Sequence, residues 1–169
     1  WNVSNVQDMT SVFENASSFN KDISNWVVDS DTTMSYMFDG ATNFNQDIST
    51  WNVSNVTSMQ VMFDGATNFN QNISTWEVDS VKNMNSMFSS ASSFNQDIST
   101  WDITSVTDMA NMFSGLNELT EITKCEINTS FSYVANWPYD WAPSLCWDSS
   151  YECNPDDCPN RVPNNLISG

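Results

Sequence analysis

NFNQDISTWNVSNVTSMQVMF, residues 43–63, returns almost word for word up and down the chain, and its reading decides the fold. Trp stands at Trp1, Trp26, Trp51, Trp76 and Trp101, each 25 residues after the last. Met9, Met34, Met59, Met84 and Met109 keep the same step, as do Phe13, Phe38, Phe63, Phe88 and Phe113. Val12 opens a column that continues as Met37, Met62, Met87 and Met112, while Phe19, Phe44, Phe69 and Phe94 form another. Ile23, Ile48, Ile73 and Ile98 close each unit. A fixed period of about 20–50 residues marks a stacked repeat, because no unit can bury its apolar face alone and neighbours must share a core. The recurring indoles and thioethers are therefore read as core rather than as a ligand strip. Met suits the irregular gaps of such a core, and each buried Trp needs an acceptor for its indole N–H.

Within a unit the apolar pattern divides. Ile73, Trp76 and Val78, with polar Glu77 between the last two, predict a short half-buried strand. Val81, Met84, Met87, Phe88 and Ala91 follow at helical spacing and predict a short helix. Residues 92–97, SSFNQD, predict a return loop. The expected fold class is an α/β repeat: a right-handed solenoid of short parallel strands and short helices, closed by a disulfide-bonded C-terminal cap. Residues 1–119 form five repeats, and residues 120–169 form the Cys/Trp-rich cap and tail.

Units such as FNQDISTWNVSNVTSMQVMFDGA, residues 44–66, resemble the repeats of BspA-like leucine-rich-repeat surface proteins, a group that includes the mycoplasma-type lipoprotein repeat. The resemblance covers residues 1 to about 119, and the Ile73-x-x-Trp76-x-Val78 spacing mirrors the leucine-rich-repeat strand. Val81 stands where many such repeats place a ladder Asn, with Asn20, Asn45, Asn70 and Asn95 offering a substitute elsewhere in the coil. The resemblance makes the expected solenoid leucine-rich-repeat-like, implies that it is displayed outside the cell, often in adhesion, and supplies no catalytic residues.

Composition narrows the function classes. Four Lys plus Arg oppose 21 Asp plus Glu, a net charge of −17. Nucleic acid and anionic membrane surfaces need the cations this chain lacks. No apolar run reaches the roughly 20 residues of a membrane span. The chain has no His, so Ser-His and Cys-His catalytic sets are excluded, and no phosphate-binding loop is present. The acids are spread along a regular scaffold, so no enzyme activity and no cofactor are expected.

The column Asp22, Asp47, Asn72, Asp97 offers oxygen ligands for Ca²⁺, but reads better as side chains bonding nearby backbone N–H groups in Asx turns. Thr50, Thr75 and Thr100 form a single rank, too narrow for the flat lattice of an ice-binding face. Glycosylation sequons fall at Asn2, Asn15, Asn52, Asn55, Asn72 and Asn128, no more than chance supplies in so Asn-, Ser- and Thr-rich a chain, and Asn52, Asn55 and Asn72 stand at polar positions where a glycan could project from the surface.

All four cysteines lie late, at Cys125, Cys146, Cys153 and Cys158. They read as two disulfides of undetermined pairing, and so as an oxidising compartment, in preference to a zinc site. Trp137, Tyr139, Trp141 and Trp147 cluster with Pro138 and Pro143. They are expected to cover the open end of the last coil, or to form an aromatic platform for a glycan or a host surface protein. Trp1 opens directly into a coil. The expectation there is that further repeats precede it or that a second subunit covers it head to tail, a contact that does not close and propagates a filament.

The functional expectation is an extracellular, cell-surface structural or adhesive solenoid. The alternative is a glycan- or protein-binding module that uses the Trp-rich cap or a polar face.

Overall fold

The computed structural model describes residues 1–116, 118–139 and 141. Its organisation follows from where the backbone hydrogen bonds go. Met9, Ser11, Phe13 and Asn15 donate their N–H groups forward to the carbonyls of Thr33, Ser35, Met37 and Asp39 in the next coil, at 3.1, 3.0, 2.9 and 2.6 Å. The N–H groups in between, from Val12, Glu14 and Ala16, donate back three residues to Met9, Ser11 and Phe13. Met59, Val61, Phe63 and Gly65 repeat the forward set onto Asn83, Asn85, Met87 and Ser89 at 2.8–2.9 Å. Bonds of the opposite sense, such as Thr57 N–H to the Thr32 carbonyl, complete each junction. Buried backbone polar groups must find partners, and here the neighbouring coil supplies half of them.

This alternation requires backbone that a helix does not contain. Ser11, Tyr36, Val61, Ser86 and Asn111 share one register and all have φ between 55 and 61°. Four residues later Asn15, Gly40, Gly65, Ser90 and Gly115 do the same, with φ between 56 and 74°. Left-handed residues turn every second N–H out of the coil, where a helix would spend it internally. Gly and Asn take this conformation readily, whereas a β-branched side chain is strained in it. Val61→Asn is therefore expected to stabilise the protein by about 1 kcal/mol, seen as a higher urea midpoint with an unchanged slope.

These bonds correct the expected fold class. Among the described residues there is one helix, α1, Glu121–Phe131, and no strand or sheet, only isolated parallel bridges joining Asp8, Thr33, Ser58, Asn83 and Asp108 in succession. The strand expected around Ile73–Val78 is instead two turns, with Trp76 N–H bonding the Ile73 carbonyl and Val81 N–H bonding Val78. The helix expected from Val81 is broken by the positive φ of Ser86 and Ser90. The chain is thus a stack of turn-built coils and not an α/β leucine-rich-repeat solenoid. Of the four cysteines expected to bridge the cap, Cys125 alone is described, so no bridge between two described residues is present there. Cys125, on α1, is disulfide-bonded, but Cys146, Cys153 and Cys158 lie outside the described residues.

The stacking itself is as expected. Phe13, Phe38, Phe63, Phe88 and Phe113 lie ring over ring, with centroids 5.4, 5.5, 5.7 and 6.0 Å apart. Phe19, Phe44, Phe69 and Phe94 form a parallel column at 5.9–6.1 Å, and the two columns touch at about 4 Å in each coil, as between Phe63 and Phe69 at 4.1 Å. The repeat Met residues are buried with them, from Met9 to Met112. The indole N–H groups of Trp51, Trp76 and Trp101 each find an acceptor one coil back, on the carbonyls of Ile23, Ile48 and Ile73 at 3.1–3.2 Å. Removing such side chains from water is worth about 1.5–3 kcal/mol each.

At the far end α1 lies across the last coil. The Thr120 hydroxyl caps it by accepting the Thr123 N–H at 3.2 Å. Thr123, Ile127 and Phe131 are its buried face.

Candidate functional site

With the aromatic and thioether residues committed to the core, the polar skin and the capped end are what a partner meets. The skin carries an amide ladder. Asn45 N–H donates to Asn20 Oδ1 at 3.0 Å, and Gln46 Nε2 reaches the same oxygen at 2.8 Å. Asn70 with Gln71 repeats this on Asn45, and Asn95 with Gln96 repeats it on Asn70. Thr120 N–H closes the ladder on Asn95 Oδ1 at 2.9 Å. The ladder anticipated from the Asn column is therefore present, and it ties each coil to the one before.

The acidic column resolves as Asx turns. Asp22, Asp47, Asn72 and Asp97 accept the N–H groups of Ser24, Ser49, Ser74 and Ser99 at 2.8–2.9 Å. Asn72 serves as well as the acids because only one oxygen is used. These bonds hold the carboxyls of Asp22 and Asp47 below the ordinary range. Thr50, Thr75 and Thr100 donate their hydroxyls to the carbonyls of Ser24, Ser49 and Ser74, so that rank is bonded to the backbone. A second acid file, Glu14, Asp39 and Asp64, raises the Asp39 carboxyl through partial burial first and then through its two like-charged neighbours. Among the described residues no group of three His, Cys, Asp or Glu converges on a metal position.

The sequons separate by geometry. Asn2 and Asn52 are exposed, and each accepts both the N–H and the hydroxyl of the sequon Ser, Ser4 and Ser54. Asn72 is exposed and accepts the Ser74 N–H. Asn55 spends its amide on the Asp29 carbonyl at 2.8 Å, and Asn15 sits in a left-handed turn. Asn128 is committed to the cap, taking the Trp137 indole N–H at 2.9 Å and donating to the Trp141 carbonyl at 3.3 Å.

Trp137, Tyr139 and Trp141 pack half-buried over Phe113, with ring centroids 5.4–6.3 Å from it. The Tyr139 hydroxyl accepts the Phe113 N–H at 2.8 Å. In every earlier coil that same Phe N–H reaches a Met carbonyl of the next coil. Tyr139 thus takes the place that a Met carbonyl of the next coil fills elsewhere, a role the sequence did not announce. Burial raises its phenol above the ordinary range. Tyr139→Phe is expected to cost about 1 kcal/mol by leaving that N–H unpaired, with the Phe113 amide exchanging faster while those of the central coils do not change. Trp1 is 94% exposed and stacks on Trp26 at 6.2 Å, and Trp147 lies outside the described residues.

Two shallow clefts flank the last coil. One, of about 350 Å³, is lined by Asn70, Asn95 and Glu118 among others. The other, of about 390 Å³, lies between the coil and α1 and is lined by Thr100, Trp101, Asp102 and Tyr133 among others. Only Tyr133, 65% exposed, offers an open ring there.

A family of Mycoplasma proteins of unknown function, DUF285, matches residues 1–76 and 48–136, which takes in the coils, α1 and the first turn beyond it. The chain belongs to this family. DUF285 is a Mycoplasma-type repeat family related to BspA-like surface repeat proteins, which places the repeat resemblance on the family and leaves the leucine-rich-repeat assignment aside. No curated protein and no solved structure matches the chain.

One residue escaped the sequence reading although its signal was present. Val6, Val56, Val81 and Val106 form a column in which the second coil has Asp31. Asp31 is fully buried, and neither carboxyl oxygen has a hydrogen-bond partner.

Proposed function

We propose that the chain is a structural and adhesive element of an extracellular, cell-surface protein: a stiff spacer whose outer skin makes the contacts. The observation that carries this reading is the unbroken file of Phe rings from Phe13 to Phe113. It commits the residues best suited to gripping a small molecule to holding coils together. The polar skin supports it too, since the amide ladder and Asx turns present a regular, hydrated, acidic surface. The disulfide at Cys125 supports an oxidising compartment. Head-to-tail assembly into a surface filament belongs to the same proposal as one way in which such a spacer is extended.

The test is immuno-electron microscopy with antibody to the folded stack on intact cells that make the protein. Label on unpermeabilised cells, with Fab fragments that block their attachment, supports the reading. Label that appears only after permeabilisation contradicts it. Capture on a glycan array that is lost in Tyr133→Ala would favour the binding-module alternative at the cleft beside α1.

A further inference from the structure

We infer that Asp31 is a proton-operated latch in the second coil: neutral, it completes the Val column and locks the first three coils together; ionised, it loosens them. The Val6, Asp31 and Val56 turns stand in register, each donating its N–H three residues back, to Val3, Val28 and Val53 at 2.9 Å. Asp31 therefore fills a Val slot between two Val slots, is 0% exposed, and has both carboxyl oxygens orphaned. A buried carboxylate with no donor is costly, whereas the neutral acid is a side chain of nearly Val size.

No compensating charge faces it. The coil before offers Asp8, whose charge disfavours a second anion. Its own turn offers Asp29, which is exposed. In the coil after, the stretch from Ile48 to Phe63 contains no ionisable side chain. No Lys or Arg salt bridge reaches it among the described residues, where the one ion pair is Lys124 with Glu121.

Burial, then Asp8, pushes the Asp31 carboxyl from the ordinary 3.8 up to about 7. Between those values the folded chain holds a proton that the unfolded chain has released. The stability it contributes is full below the ordinary value and is lost as pH rises through about 7. Exposed carboxyls are already ionised by about pH 5.5, so self-repulsion of the acidic chain is constant above that.

Thermal melts of wild type, Asp31→Val and Asp31→Asn between about pH 5.5 and 8.5 test the latch. The wild-type midpoint is expected to fall by about 5 °C or more across this window. Asp31→Val is expected to be flat and to melt above wild type at the alkaline end, and Asp31→Asn to be flat. A wild-type midpoint that holds or rises with pH, or an Asp31→Val midpoint that falls as steeply, overturns the proposal. Hydrogen exchange on wild type gives an independent readout. Corrected for intrinsic rates, the amides of Thr32 and Thr57, bonded to the carbonyls of Gln7 and Thr32, should lose protection at the alkaline end. Those of Lys82 and Thr107, their counterparts in the later coils, should not, and equal loss along the whole stack would overturn it.

Discussion

Phe63→Ala is expected to destabilise the protein by about 3–5 kcal/mol, the upper end of what truncating one buried side chain costs. Phe63 is fully buried at the centre of the stack. Its ring lies 5.5 Å from Phe38, 5.7 Å from Phe88 and 4.1 Å from Phe69, so one truncation opens a hole shared by three coils. In a quasi-one-dimensional array the junction terms hold the units in one cooperative transition. Breaking the central junction should therefore lower the urea midpoint and also broaden the transition, reducing its slope, as the flanking coils begin to melt apart. Loss confined to the midpoint, with full cooperativity kept, would show that the rings add area without coupling coils.

Asn45→Ala is the second large effect, at about 2 kcal/mol. Asn45 Oδ1 receives the Asn70 N–H at 3.0 Å and Gln71 Nε2 at 2.9 Å, and both Asn45 and Gln71 are half-buried. Truncation strands the Asn70 backbone donor and leaves Gln71 Nε2 with the Asn45 backbone carbonyl, at 3.0 Å, as its remaining acceptor on that residue. Asn45→Asp keeps the accepting oxygen and is expected to lose less than half as much in the same denaturant titration. Equal losses for the two variants would assign the effect to the missing side-chain volume and not to the ladder.

The stack was legible in the sequence because identical side chains at identical intervals have one economical burial, on top of each other. Trp51, Met59 and Phe63 announce their neighbours Trp76, Met84 and Phe88 whatever the backbone between them does. The backbone itself was not legible from apolar spacing. Val81, Met84, Met87, Phe88 and Ala91 return to one side at steps of three and four, and turns reset by a left-handed residue bring them inward just as a helix would. The deciding signal lay elsewhere. Three of the four glycines of the chain, Gly40, Gly65 and Gly115, fall in one register, and all three have positive φ. Asn15 and Ser90 occupy the same register without a glycine, which hid the pattern. The strand failed for a related reason: the Trp76 N–H is spent on Ile73 of its own coil, so that segment has no row of donors left for a sheet.

The site residues divide along the same line. Asn20 and its column could be foreseen, because a repeated amide on a stacked coil has its counterpart one rung away. Tyr139 could not, since nothing in a lone Tyr says that its hydroxyl replaces a backbone carbonyl. Asp31 could have been found as the one acid in a column of Val.

Excision of one register tests the stacking claim most directly. Removing residues 51–75 joins Thr50 to Trp76 and deletes one whole 25-residue coil, whereas removing 51–74 leaves the chain one residue out of step. Coil-on-coil stacking predicts that the first variant folds with a cooperative melt and keeps its protected indoles, while the second fails to fold or melts non-cooperatively. Two deletions that behave alike, both folded or both collapsed, would contradict it.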